Sequence, residues 1–168
     1  MAKEFYVTSD LYASQGQRFG NYIFDLIVHL VLMFAIQETL VLIFNQFEIY
    51  AVEDFFYNTN QLEDYLYGVF FTLIYYTTME ISLSRSVGKY ITGTIVVLQD
   101  GTKPDAATIL KRTLCRFIPF DGLSFLGSNA RGWHDSLSHT YVVNKNDLEE
   151  RMKQFYEFDQ IGKDTETE

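Results

Sequence analysis

The sequence predicts a membrane-embedded α-helical hairpin, two transmembrane helices, carrying a small cytoplasmic α+β cap. Three observations predict it. Two long apolar segments lie in the first half of the chain, at about 19–44 and 66–84. Basic residues are absent between Arg18 and Arg85. The second half carries short strand patterns and one amphipathic helix, too charged to cross a bilayer. The 168 residues suffice for a single domain. The mean hydropathy of −0.03 means that only part of it can span.

The first apolar segment, Phe19 to Phe44, would extend about 37 Å as a helix, slightly more than a hydrocarbon core of about 30 Å. No apolar stretch precedes it in MAKEFYVTSDLYASQGQ, so it is expected to act as its own targeting signal. The second, Leu66 to Ser84, would extend about 28 Å. A buried hairpin in a soluble protein is the alternative, because both segments carry polar residues. Charge placement favours the membrane. Lys3 and Arg18 precede the first segment and every other basic residue follows the second, whereas the intervening loop holds Glu48, Glu53, Asp54, Glu63 and Asp64. This is the positive-inside distribution of a hairpin with both termini cytoplasmic. Tyr50, Phe55, Phe56, Tyr57, Tyr65 and Tyr67 crowd its outer ends, where aromatic rings favour the headgroup zone.

Residues 85–158 read as the cytoplasmic and interfacial region. YITGTIVVLQDG is a strand ending in a turn, and HTYVVNK is its candidate antiparallel partner. KPDAATILKRTLCRFIPF reads as a helix lying in or dipping into the interface, with Ile109, Leu110, Leu114, Phe117 and Ile118 at helical spacing. NDLEERMKQFYEF reads as a surface helix capped by Asn146, with Leu148, Met152 and Phe155 on one face. The acidic tail 159–168 is expected to be disordered.

The candidate site is a set of charges placed where a bilayer would be. Arg18, Asn21, Asp25 and His29 share one face of the first helix. Thr77, Glu80 and Ser84 form a matching stripe on the second, putting Asp25 and Glu80 at similar depth near the inner leaflet. Two facing carboxylates repel, and a base between them removes the conflict. The available bases are Arg18, Arg85, Lys89, Lys111, Arg112, Arg116 and Arg131. Arg112 and Arg116 are one turn apart, so their face is expected to dock on the hairpin and neutralise Asp25 and Glu80. Structurally this is an ionic clamp; functionally it could handle protons or cations, with His29 the titrating group. A second polar cluster, Arg131, His134, Asp135, Ser138, His139 and Thr140, reads as a turn in which Asp135 bonds backbone amides or a nearby Arg. Its spacing fits neither convergent metal ligands nor a nucleophile elbow. SVGKY lacks the upstream glycine of a phosphate loop. Thus no catalytic, metal or cofactor set is read and no enzyme is expected. The net charge of −9 argues against nucleic-acid binding, and the single Cys115 against an internal disulfide.

Taken in order, ASQGQRFGNYIFD, SVGKYITGTIVVLQDGTKPD, LKRTLCRFIPF and WHDSLSHTYVV resemble the RDD family of small integral membrane proteins over about Ala13 to Lys145. Arg18 resembles the family's Arg, and Asp25 and Asp135 its two Asp. Many members carry a third apolar span before the closing Asp; here IPFDGLSFLGSNARGWH is too short and polar to cross, so the chain resembles a two-span variant. The resemblance implies a multi-pass protein of the bacterial inner membrane, largely uncharacterised as a family, for which cation/proton antiport has been proposed. The expected partners are the lipid bilayer and a homo-oligomer or another membrane subunit. Expected roles are a scaffold or accessory subunit or, alternatively, an oligomeric proton- or cation-coupled transporter using Asp25, His29 and Glu80.

Overall fold

In the computed structural model, residues 4–126 and 131–166 are described. The chain forms α1 (Gln15–Asn45), α2 (Ala51–Tyr57), α3 (Gln61–Leu83), α4 (Val87–Ile91), β1 (Thr94–Val97), α5 (Ala106–Cys115), a 3-10 segment (Asp121–Leu126), α6 (Trp133–Leu137), β2 (Tyr141–Asn144) and α7 (Lys145–Glu166). It is mostly helical, with one two-stranded antiparallel sheet in which Thr94 pairs with Asn144 and Val97 with Tyr141.

Local chemistry sets the helix ends. A reciprocal capping box opens α1: Ser14 Oγ accepts from Gln17 N at 3.2 Å and Gln17 Oε1 accepts from Ser14 N at 3.0 Å. Asn60 and Glu63 build the same box at α3. At its far end α1 is tied to α2 by Tyr57 Oη donating to Glu38 and by Asn45 to Glu53. α3 then returns toward the starting end and stops at Ser84, whose left-handed φ of 57° breaks the helix. The Ser84 carbonyl accepts from Val96 N at 2.8 Å, joining α3 to the sheet.

The cap has its own small core. Phe5, Val7, Leu11, Val97, Val143 and Leu148 are buried together, with Met152 and Phe155 packed against them. The N-terminal arm reaches the sheet through Val7 N to Gln99 O and Ala13 N to Val142 O. α1 therefore leaves from the cap and α3 comes back to it.

Polarity in the helices is inverted relative to a soluble fold. The buried residues of α1 are Arg18, Asn21, Asp25 and Val41, and that of α3 is Glu80. Leu30, Val31, Phe34 and Leu42 are instead 57–66% exposed. α1 has a mean hydropathy of 2.3 over its most apolar window and, among the described helices, is the one long and apolar enough to cross a membrane. A soluble buried hairpin would have covered that surface.

Three expectations need correction. The cap of α7 is Asn144, whose Oδ1 accepts from Asn146 N at 3.1 Å, so the helix begins before the predicted cap residue. α7 continues through Glu166, into the segment expected to be disordered; residues 167–168 lie outside the described residues. Gly132 to Ser138 is a short helix, α6, with its caps, instead of a turn. Of the polar interval expected not to cross, 127–130 also lie outside the described residues.

Candidate functional site

Where α3, α5 and α6 meet, Arg112 is fully buried between two fully buried carboxylates. Its Nη1 donates to Glu80 Oε2 at 2.5 Å, while Nη2 and Nε donate to Asp135 Oδ1 at 2.6 and 3.1 Å. The planar guanidinium thereby uses both of its edges. The other oxygen of each carboxylate is also engaged. Asp135 Oδ2 accepts from Arg18 Nη1 at 2.6 Å, and Glu80 Oε1 accepts from Lys89 Nζ and Arg116 Nη2, both at 3.0 Å. The Arg116 guanidinium lies 4.0 Å from the Tyr76 ring centroid, a cation–π contact. Five segments of chain converge on this cluster: α1, α3, α4, the end of α5, and α6.

The electrostatics follow from burial and crowding. Burial would raise Asp135, but the neighbouring His134, Arg112 and Arg18 outweigh it and hold the carboxyl well below the usual carboxylate range. Burial would lower Arg112, but Glu80 and Asp135 raise it further above its ordinary value. For Lys89 burial wins, and its ammonium is pushed down despite the pull of Glu80.

Asp25 is placed differently from its expected position. It is 2% exposed, yet no basic side chain touches it among the described residues. Tyr75 Oη donates to Oδ1 at 2.9 Å, Gly88 N to Oδ1 at 2.7 Å, and Ser86 Oγ to Oδ2 at 2.5 Å. Thus Arg112 and Arg116 do not bridge Asp25 and Glu80; the Arg112 bridge runs from Glu80 to Asp135. The link between Asp25 and Glu80 is Ser86, whose Oγ also accepts from Lys89 Nζ at 3.3 Å. Gly88 is required here by space. A Cβ on it would stand 2.5 Å from Asn21 O and 2.9 Å from Asp25 Oδ1. Asn21 binds the same corner: with its nitrogen toward the Gly88 and Gln17 carbonyls (3.2 Å each), its oxygen accepts from Thr94 Oγ1 at 3.1 Å.

The remaining candidates flank this centre. His134 Nδ1 donates to Asp121 Oδ2 at 2.5 Å, and His134 N to Asp121 Oδ1 at 2.8 Å. Burial pushes the His134 imidazole down to about 4, so it is neutral at pH 7 even with Asp121 and Asp135 alongside. Arg131 donates to the carbonyls of Asp135 and Thr140, both at 3.2 Å, and the Thr140 hydroxyl meets Ser138 Oγ at 2.9 Å. His29 stands apart from the ions, its Nε2 3.4 Å from Thr72 Oγ1. Tyr75, Ser86, Gly88 and Asp121 were not predicted. The available signal was SVGKY immediately after the second apolar segment, which supplies two of the three donors to Asp25 and the Lys that meets Glu80.

Between α1, α3 and residues 116–123 lies a cavity of about 620 Å³. Leu26, Val69, Phe117, Ile118 and Leu123 form much of its wall; Asp25, His29, Arg116 and Asp121 also line it, with the phenols of Tyr22, Tyr65 and Tyr76.

The RDD family matches the chain over residues 12–142, a span that contains every member of the ionic cluster. The chain belongs to the RDD family. RDD proteins are membrane proteins of unknown function. No curated protein and no solved structure matches the chain. For this RDD protein the resemblance drawn from Arg18, Asp25 and Asp135 holds as a family assignment. The geometry adds that Arg18 and Asp135 pair directly, whereas Asp25 is held by neutral donors.

Proposed function

We propose that the protein is a two-span hairpin of the bacterial inner membrane with both termini cytoplasmic, working without enzymatic activity as a scaffold or accessory subunit. Its buried charges clamp the cap onto the two helices. The observation that carries this reading is Arg112, which joins Glu80 on α3 to Asp135 on α6 with no exposure of any of the three. A guanidinium fixed by three charge-assisted hydrogen bonds to two buried carboxylates is suited to hold a register, not to cycle. The return of α3 to the cap and the exposed apolar faces of both helices support two spans. The lipid bilayer is the partner that such faces require.

The test compares two adjacent residues of α5. Arg112→Ala removes the buried cation that Glu80 and Asp135 share, leaving Asp135 to Arg18 and Glu80 to Lys89 and Arg116, and should cost roughly 3–5 kcal/mol of stability. Lys111→Ala removes an exposed side chain and should change it little. Thermal unfolding in detergent reads both. Equal shifts would sink the clamp.

A second reading, an oligomeric proton- or cation-coupled transporter, is favoured by one observation: Asp25 lies outside the ion pairs and lines the cavity with His29. Glu80, tied to three bases, is a poor carrier; Asp25 is the better one. Under this reading Asp25→Asn keeps its fold and abolishes cation-dependent proton movement in reconstituted vesicles. Under the clamp reading no such movement exists in the wild type to be lost.

A further inference from the structure

The cavity between α1 and α3 has a floor with two unused polar valences of opposite sign. A carboxylate offers about four acceptor positions. Asp25 fills three: two at Oδ1 and one at Oδ2. Arg116 spends Nη2 on Glu80, and its buried Nε has no hydrogen-bond partner among the described residues. Both residues line the same cavity of about 620 Å³, within the range of small-molecule sites, about 300–1,000 Å³. The walls above this floor are apolar and aromatic: Leu26 from α1, Val69 from α3, Phe117 and Ile118 from the segment after α5. A ligand matched to the whole cavity has one N–H-donating cation, one anionic acceptor close to it, and an apolar body.

We propose that the cavity binds an ethanolamine phospholipid drawn from the cytoplasmic leaflet, its ammonium toward Asp25, its phosphate toward Arg116, and the start of one acyl chain along Leu26 and Val69. The proposal rests on the membrane reading above, since α1 and α3, the two helices proposed to span, line the cavity. Headgroup chemistry selects the lipid. A primary ammonium donates hydrogen bonds to a carboxylate; a trimethylammonium has no N–H to give; a glycerol headgroup carries no cation to set against Asp25. A charge-assisted hydrogen bond corresponds to roughly tenfold or more in affinity.

The experiment uses the full-length protein extracted in detergent and mixed with equal amounts of phosphatidylethanolamine, phosphatidylcholine and phosphatidylglycerol, with retained lipid read by non-denaturing mass spectrometry. The expected result is roughly tenfold more retained phosphatidylethanolamine than either competitor. Gly68 supplies a blocking variant. It lines the cavity on α3, and a Cβ built on it meets nothing within 4 Å, so in Gly68→Trp the ring grows into the open space. That variant should lose the lipid while unfolding at the wild-type temperature; Leu26→Trp, from the opposite wall, serves if Gly68→Trp does not fold. Equal retention of the three lipids, or undiminished phosphatidylethanolamine in a folded blocking variant, overturns the proposal. Labelling of Asn58→Cys from outside intact spheroplasts separates the two levels. If that site labels but the headgroup preference is missing, the lipid site alone falls; if it does not label, the orientation that puts the cavity at the cytoplasmic leaflet falls with it.

Discussion

Asp25 and His134 solve the same problem, a titratable group out of water, in opposite ways. Asp25 collects three donors, two of them from the Ser86–Gly88 corner of α4, and Gly88 allows the backbone to come within 2.7 Å of its oxygen. His134 gives up its charge: burial lowers it from 6.5 to about 4, and the neutral ring donates to Asp121. The sign of the consequence is fixed. A His depressed on folding binds its proton more tightly in the unfolded chain, so stability is complete above about pH 6.5 and is lost as pH falls toward 4. A shift of that size corresponds to about 3 kcal/mol. Asp121 and Asp135 are also held below their usual 3.8, so they weaken the fold in the same direction at still lower pH. Thermal unfolding in detergent between pH 7 and pH 4 should therefore fall steadily, and His134→Gln should flatten the upper part of that curve. An unchanged slope in His134→Gln would mean that the acid sensitivity belongs to the carboxylates alone.

At the scale of elements, α5 shows what sequence periodicity conveys and what it leaves undetermined. Helical spacing of Leu110, Leu114 and Ile118 and the one-turn separation of Arg112 and Arg116 were legible, and so was the division into two faces. The structure turns the charged face inward, with Arg112 fully buried, and leaves Leu110 and Leu114 at 42% and 51% exposure. In water that arrangement would be upside down; beside hydrocarbon it is the favourable one. The same inversion in α1 buries Arg18 and Asp25 and exposes Phe34. Pairing was not legible. Asp25 and Glu80 do lie close to one another, but Asp135, more than fifty residues beyond Glu80 in sequence, competes for the same Arg112, and distance in sequence hides such a competitor. Nor did the pattern of α4 announce itself: a five-residue helix carries too little periodicity, and its importance comes from one backbone N–H and one ammonium. β1 and β2 were readable because β-branched runs beside turn residues need no long-range knowledge. α7 outran its expected end because its acidic composition suggests solvation, while helix formation there needs only local bonds.

For the whole molecule, the decisive question is on which side of a bilayer each end lies. The N-terminal arm is tied to the sheet by Ala13 N to Val142 O and by the burial of Phe5 and Val7 against Leu148, so the N-terminus and the start of α7 share one side of the helix pair. α2 and the acidic loop occupy the opposite end, held to α1 through Glu38 and Glu53. The arm and cap cannot be separated by a membrane without dismantling that core, so the proposed two-span hairpin has only two forms: arm and cap inside with the loop outside, or the reverse. The distribution of basic residues, none between Arg18 and Arg85 and thirteen in the rest of the chain, favours the proposed first form. Single cysteines at Asn58 and at Lys153, each in a Cys115→Ser background, report the outcome. Asn58 is exposed at the loop end and Lys153 is exposed on α7. A membrane-impermeant thiol reagent applied to intact spheroplasts should label Asn58→Cys and spare Lys153→Cys until the cells are lysed. Labelling of Lys153→Cys alone would invert the topology, and labelling of both would mean that α3 fails to return across the membrane, which the packing of Glu80 on α3 against Arg112 in the cap forbids in a folded chain.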